Sequence, residues 1–238
     1  MEAWVMGFYF QIHRVVSRSM EPSLLVGDVI HSHVTPCLWQ EEQNNCYFPD
    51  PRIEPGDIAV FVEPVNQKAD YVKRVWAVSG DHLRFDGSDY FLNGKKVKQE
   101  IIKHQGQPQD DNACLAAIET PKAEQEPLPF VRGIKHKKFI RFTLPDSGKS
   151  FVVQREKAKT NRKAFDWHVP TDHFVVIGDN ADHSYDSRDF GPMPMSLIKG
   201  KVQRVVFSRA DGQNCKGPFG QRDSQLGVRW YRFMMPVR

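Results

Sequence analysis

The sequence predicts a mostly β protein, built on a large antiparallel, barrel-like sheet with a smaller inserted lobe. Short β-branched and aromatic runs, bounded by Gly, Pro, Asp and Asn, recur along the chain, as is typical of strands joined by turns. Few windows place apolar residues at the three-and-four spacing of an amphipathic helix. Asn93-Gly94 adds the strongest short hairpin signal. Turns rather than crossover helices therefore connect the predicted strands.

Composition sets the broad class. The chain has 238 residues, of which 40% are hydrophobic and 26% charged, enough for one large core or two smaller ones. The net charge is +4, but basic residues stand beside acids, as in Arg155-Glu156-Lys157. Such a mixed surface argues against a nucleic-acid-binding stripe, so we expect no nucleic-acid partner.

The first predicted strand is Leu24–Val34, broken at Gly27-Asp28, and the next is an apolar run, Ile58–Val62, which looks buried on both faces. Asp70–Val78 follows, and Leu83–Phe85, Tyr90–Leu92 and the Asn-Gly turn then predict a β-meander. Further strands are expected at Lys138–Leu144, Phe151–Gln154, Phe174–Ile177 and Lys201–Ser208.

The composition changes after residue 97, where Gln, Glu, Lys, Asp and Pro become frequent. We interpret residues 98–170 as a variable inserted lobe, and residues 1–97 and 171–238 as the core that carries the chemistry.

The four cysteines, Cys37, Cys46, Cys114 and Cys215, form no CxxC pair and no Cys/His cluster. Cys37 and Cys46 are either free thiols or, in an oxidising compartment, a disulfide that closes a small loop.

No stretch reaches the ~20 apolar residues that span a bilayer. The apolar arm Ala3–Ile12 is too short and lacks the features of a secretory signal. It is a first core strand, the remnant of a membrane anchor or an interfacial patch.

The stretch Ser17–Leu24 contains two serines one residue apart. On an extended segment Ser17 and Ser19 would point to opposite sides, unless the chain turns, as Pro22 invites. A serine hydroxyl becomes a nucleophile only when a base takes its proton. The stretch is either a plain turn or one half of a reactive site.

Lys73, in the middle of Asp70–Val78, is the candidate base. In a strand it shares a face with Tyr71 and Val75, while Arg74 points the other way. Burial in such a row lowers the pKa of a lysine and allows it to accept a proton near neutral pH. The plain alternative is a lysine whose amine reaches solvent.

A dense polar loop, Gly178–Gly191, directly follows the apolar run Phe174–Ile177. Ser184 could orient a neutral lysine amine, and Asp186 and Arg188 could form a charge-assisted pair. The acids and His183 do not have the spacing of a calcium or zinc site. We therefore expect no metal and no other cofactor.

Together these segments resemble the bacterial type I signal peptidases, or leader peptidases, which are membrane-bound Ser/Lys proteases of the secretory pathway. The resemblance rests on four stretches that occur in the family's order: Ser17–Asp28, Pro55–Phe61, Asp70–Arg74 with Gly80-Asp81, and Gly178–Gly191. They span residues 8 to 207, apart from the variable segment.

The resemblance implies a role for each matching residue. Ser19 would be the nucleophile and Lys73 the general base, while Ser17 would complete an oxyanion hole with the Ser19 N–H. Ser184 would bond the lysine. Four further residues would support the pair: Asp186 with Arg188, and Asp179 with Arg74.

The implied substrates are preproteins with small residues before the cleavage site, cut at the periplasmic face of the bacterial inner membrane. Members carry upstream membrane helices, whereas this sequence has no apolar stretch long enough to be one. We therefore expect the anchor to be absent from this chain, and we expect the chain to contact the membrane surface. His13-Arg14-Val15-Val16 also departs from the family's shorter lead-in.

Two other functions remain open. One is a specialised Ser/Lys peptidase for pilin or conjugation substrates. A self-cleaving repressor would be another Ser/Lys peptidase of this kind, but it is disfavoured because no helix-turn-helix pattern precedes Ser17. The other is a β-rich binding module that keeps the fold without turnover.

Overall fold

The computed structural model describes residues 9–34, 53–65, 67–102, 137–157, 163–209 and 233–237. Strands dominate these residues, and the α-helix among them is a single short turn, α1 (Ser187–Phe190). The predicted mostly β class is confirmed.

The largest sheet carries eight strands that pair antiparallel with their neighbours. Its strands are β1 (Tyr9–Arg14), β2 (Asp28–Val34), β3 (Ile58–Val62), β4 (Asp70–Val78), β12 (His173–Ile177), β13 (Met193–Pro194), β14 (Ile198–Ser208) and β15 (Met235–Pro236). The order is β1-β2-β14-β3-β4-β12-β13, and β15 pairs with β14.

This sheet curls into a half-barrel. The curl is visible in one contact: His13 Nδ1 on β1 lies 3.8 Å from Asp70 Oδ2 on β4, although three strands separate β1 from β4 in the sheet. The large antiparallel, barrel-like core predicted from the sequence is therefore present.

Two smaller antiparallel sheets complete the described fold. Their strands are β5 (His82–Phe85), β6 (Tyr90–Leu92), β7 (Lys95–Lys96), β8 (Lys98–Ile102), β9 (Lys137–Thr143), β10 (Ser150–Glu156) and β11 (Phe165–His168). One sheet has the order β10-β9-β8 and the other β11-β5-β6-β7.

The predicted meander is the run β5-β6-β7. Its Asn-Gly turn has positive φ at both residues, 52° at Asn93 and 77° at Gly94, the conformation that tight hairpins need and that these two residue types tolerate best. The strands expected along β3, β4, β9, β10, β12 and β14 are also found, with small shifts of their ends.

Some strands were not predicted. β8 lies in the polar segment after residue 97, and its composition concealed it. β11 alternates half-buried and exposed residues over only four positions, too few for a periodic signal.

One hydrophobic cluster connects the strands of segment 98–170 to the rest of the fold. Trp76 of β4 is 1% exposed, and its ring centroid lies 4.5 Å from Tyr90, 5.3 Å from Phe142 of β9 and 5.2 Å from Phe151 of β10. β8, β9 and β10 nevertheless pair with one another and not with the large sheet. The division at residues 98 and 170 stays a prediction.

Several predictions concern residues outside the described ranges: the Cys37–Cys46 alternatives, Cys114, Cys215 and most of the apolar arm. Among the helices that are described, none has the length and apolar character needed to cross a bilayer.

The central position of Trp76 predicts a large effect on stability. Replacement of Trp76 by Ala should lower the free energy of unfolding by about 3–5 kcal/mol, because it removes a buried aromatic side chain and leaves a cavity. Urea unfolding measures this loss. The matched control is Ile101→Ala, at a side chain 65% exposed, which should change stability by no more than about 0.5 kcal/mol. Equal effects of the two changes would contradict the description of the core.

Candidate functional site: a buried lysine beside a serine turn

β4 presents two cationic side chains to its two faces, since successive residues of a strand alternate. Lys73 is 5% exposed, and its Nζ lies 2.6 Å from Ser19 Oγ. Ser19 is itself buried, at 6% exposure. The structure thus brings together the two residues that the sequence nominated as base and nucleophile, 54 positions apart.

The predicted turn around the serines is present. Glu21 N donates to Arg18 O at 3.1 Å, and Leu24 N donates to Met20 O at 2.9 Å. The turn brings the hydroxyls of Ser17 and Ser19 within 3.0 Å of each other. Ser17 is exposed while Ser19 is buried, so the outer serine borders the solvent side of the pair.

The Lys73 amine is far less basic than that of an exposed lysine. Burial lowers its pKa from 10.5 to about 8, while the carboxylates of Asp186 and Asp179 act to raise it and Arg188 acts to lower it. With a pKa of about 8, roughly one amine in ten is neutral at pH 7, against about one in 3,000 at a pKa of 10.5. A neutral amine can accept the proton of Ser19.

Arg74, on the opposite face of β4, is fully buried and forms a bidentate pair with the equally buried Asp179. Its Nε and Nη2 donate to the two carboxylate oxygens at 2.8 and 2.7 Å. Nη1 donates to Gly56 O at 2.7 Å, and Nη2 to Ser23 Oγ at 3.1 Å. The guanidinium therefore ties the serine turn, the turn before β3 and the loop after β12 to one strand.

Asp186 and Arg188 organise the polar loop. Asp186 caps α1 through a capping box, and its Oδ2 accepts from Gly178 N at 2.9 Å. Arg188 Nε and Nη2 donate to the same carboxylate, each at 2.8 Å. The expected ion pair is present, and it fixes the loop against the end of β12.

Ser184 lies in the site but does not make the contact that we expected. Its Oγ is shielded from solvent and has no hydrogen-bond partner in the described part of the chain, so no bond to Lys73 is formed. The side chain packs against Gly178, where an added Cβ would clash with Ser184 Oγ and with the Ser19 carbonyl oxygen. Gly178 thus permits the close approach of the loop to the serine turn.

Asn180, which we did not single out from the sequence, contacts the serine turn directly. Its backbone N–H donates to Ser19 O at 2.9 Å, and its side-chain Nδ2 donates to Arg18 O at 3.0 Å. Its position next to Asp179 in the polar loop was the available signal.

Among the described residues, one cluster has the composition of a metal site: His82, Asp166 and His168, whose ligand atoms lie within 4.8 Å of one another. The two imidazole rings are stacked at 4.0 Å with an interplanar angle of 11°. The lone pairs of parallel rings do not converge on one point. The cluster belongs to the sheet of β5 and β11, not to the strand that carries Lys73.

A β-rich fold with a serine hydroxyl bonded to a buried, weakly basic lysine fits the class of serine hydrolases. The family model described as signal peptidase, peptidase S26, matches residues 1–207. The chain belongs to this family.

Curated relatives agree with this assignment. Signal peptidase I of Buchnera aphidicola subsp. Acyrthosiphon pisum is 23% identical over 244 residues, which cover 94% of this chain and 76% of the relative. Signal peptidase I of Aquifex aeolicus is 29% identical over 213 residues, covering 83% of this chain and 76% of the relative.

Among solved structures, a crystal structure of a signal peptidase I from Enterococcus faecalis aligns with 65% of this chain and 97% of its own, at 19% identity and a TM-score of 0.33.

The buried pair of Arg74 and Asp179 predicts an asymmetric response to mutation. Arg74→Met or Asp179→Leu should each cost about 3–5 kcal/mol of unfolding free energy, because each leaves a buried partner uncompensated. The double variant R74M/D179L should recover part of that loss. Chemical denaturation measures all three.

The matched control is Lys95→Met in the exposed pair of Lys95 with Asp146, which should cost less than about 1 kcal/mol. Additive losses in the double variant would contradict the inference that the two side chains act as a pair.

Proposed function

We propose that the protein is a serine endopeptidase that removes N-terminal signal peptides from exported preproteins, with Ser19 as nucleophile and Lys73 as general base. The observation that carries the proposal is the 2.6 Å contact between Lys73 Nζ and Ser19 Oγ, together with the lowered pKa of the lysine. Membership of the signal peptidase family supports the substrate class.

In the proposed reaction, Ser19 Oγ attacks the carbonyl carbon of the scissile peptide while Lys73 Nζ takes the hydroxyl proton. Negative charge develops on the former carbonyl oxygen, where the Ser19 N–H and the Ser17 hydroxyl donate to it. Ser17 is suited to this role because its Oγ lies 3.0 Å from the nucleophile.

Collapse of the intermediate breaks the C–N bond, and the lysine returns its proton to the leaving amine. The neutral Lys73 amine then takes a proton from water as the water attacks the ester on Ser19, and Lys73 returns that proton to Ser19 Oγ when the acyl group leaves.

The other polar residues have supporting roles in this proposal. Arg74 with Asp179 and Arg188 with Asp186 hold the loops around the pair. Ser184 would orient the neutral lysine, through a hydrogen bond that its hydroxyl does not make to any described residue in this structure.

The substrate would bind in an extended form, as a strand added beside the serine turn, with small residues before the cleaved bond. The family places such cleavage at the outer face of the bacterial inner membrane. We propose the same location for this chain, with contact to the membrane surface and without a cofactor.

Two substitutions test the pair. Ser19→Ala and Lys73→Met should each reduce cleavage of a preprotein by at least about 1,000-fold, since both groups act in the same step. Ser88→Ala, at an exposed turn serine, and Lys95→Met serve as matched controls and should keep normal rates. Near-normal cleavage by either site variant would contradict the proposed mechanism.

The pH dependence provides a second test. Because the base must be neutral, kcat/KM should rise about tenfold per pH unit below pH 8 and level off above it. Asp186→Asn should move the midpoint to lower pH, because the carboxylate of Asp186 stabilises the ammonium form. A profile that is flat between pH 6 and 9, or a midpoint moved upward by Asp186→Asn, would exclude Lys73 as the titrating group.

A further inference from the structure

Asn180 holds two consecutive peptide groups on either side of the Ser19 Cα. Its Nδ2 donates to Arg18 O at 3.0 Å, and its backbone N–H donates to Ser19 O at 2.9 Å. Asn180 is 3% exposed, so both bonds come from a buried donor residue.

The bond to Arg18 O has a consequence for the N–H of Ser19. The Arg18 C=O and the Ser19 N–H belong to one planar peptide unit and point in opposite directions. A donor that fixes the oxygen therefore also fixes the direction of the N–H on the other side of the plane. It also polarises the amide and strengthens the N–H as a donor.

We propose that Asn180 is a positioning residue for the oxyanion hole, which aims the Ser19 N–H through the Arg18–Ser19 peptide unit. This inference rests on the proposed function, because it assumes that an oxyanion forms beside Ser19. Asn180 itself does not touch the reacting atoms; it acts through the main chain of the nucleophile.

Asn180 is in turn held by the segment 98–170. Gln154 on β10 forms a parallel bridge with Asn180. Gln154 N donates to Asp179 O at 2.8 Å, and Ala181 N donates to Gln154 O at 3.1 Å. Gln154 is fully buried, and its Nε2 donates to Glu21 Oε2, in the serine turn, at 3.4 Å.

This arrangement means that β10 helps to position Asn180 and the serine turn. It contacts the polar loop through its backbone and the serine turn through the Gln154 side chain. The three-stranded sheet of β8, β9 and β10 thereby supports both segments that converge on Ser19.

The experiment compares Asn180→Asp and Asn180→Ala with the full chain. Asn180→Asp conserves the side-chain volume but replaces the donor with a carboxylate that repels Arg18 O. We expect kcat to fall at least about tenfold in both variants, while KM stays within about twofold of the normal value. This fall in kcat should be smaller than the roughly 100-fold or greater loss that follows removal of a direct oxyanion donor. The midpoint of the pH profile should not move in Asn180→Ala, which changes no charge, whereas the added carboxylate of Asn180→Asp should move it upward.

A second readout separates positioning from general loss of structure. A peptide aldehyde forms a tetrahedral adduct with a reactive serine, so its binding should weaken by the same factor as kcat. Binding of a product peptide, which forms no such adduct, should not change. Rates are expressed per active site, counted by labelling with a serine-directed acylating probe. His183→Ala, in the same loop but exposed and bonded to Glu156, is the matched control and should keep normal kcat.

The outcomes are distinguishable. If Ser19→Ala abolishes cleavage and both Asn180 variants retain normal kcat per active site, the positioning role is wrong and the proposed function stands. If kcat falls but aldehyde binding is unchanged, Asn180 does not act on the oxyanion, and the inference is overturned. If Ser19→Ala still cleaves, the proposed function fails, and the inference fails with it.

Discussion

The site depends on the burial of one ion pair, Arg74 with Asp179. Two fully buried charges cost a large desolvation energy, which is compensated only when their geometry is good and their remaining donors are bonded. Arg74 meets this condition through the carboxylate, Gly56 O and Ser23 Oγ. The requirement fixes three chain segments against β4. Lys73, the preceding residue, is consequently held on the opposite face with its amine directed at the serine turn.

The same electrostatics set the basicity of Lys73. Burial lowers its pKa, and the nearby carboxylates of Asp186 and Asp179 oppose that effect. Each of these carboxylates is paired with an arginine, Arg188 and Arg74. The pairing leaves less negative charge to stabilise an ammonium group, so desolvation prevails and the amine titrates near pH 8. A hydroxyl held at 2.6 Å from such an amine has the base that it needs.

Much of the fold was predictable, because strand patterns are local. Apolar runs between turn residues predict the strands at Ile58–Val62 and Asp70–Val78, and two residues that accept positive φ predict the Asn-Gly hairpin. β8 and β11 are not predicted from the sequence, because a short, half-exposed strand gains its stability from its neighbours rather than from its own composition. Ser184 shows the limit at the site: the sequence placed it in the polar loop, but could not show that its side chain packs against Gly178 or that its hydroxyl bonds to none of the described residues.

The sequence by itself determined the residue types of the site and their order: two serines on a turn, a lysine within an apolar strand, and an acidic loop with its arginine. Residue chemistry and strand alternation are properties of the local chain, so they could be read without coordinates. Only the tertiary structure decided which groups meet. The distance between Lys73 and Ser19, the burial that lowers the lysine pKa, and the contacts of Asn180 and Gln154 with the serine turn arise from antiparallel pairing and close packing between segments far apart in the chain. No local pattern encodes those distances.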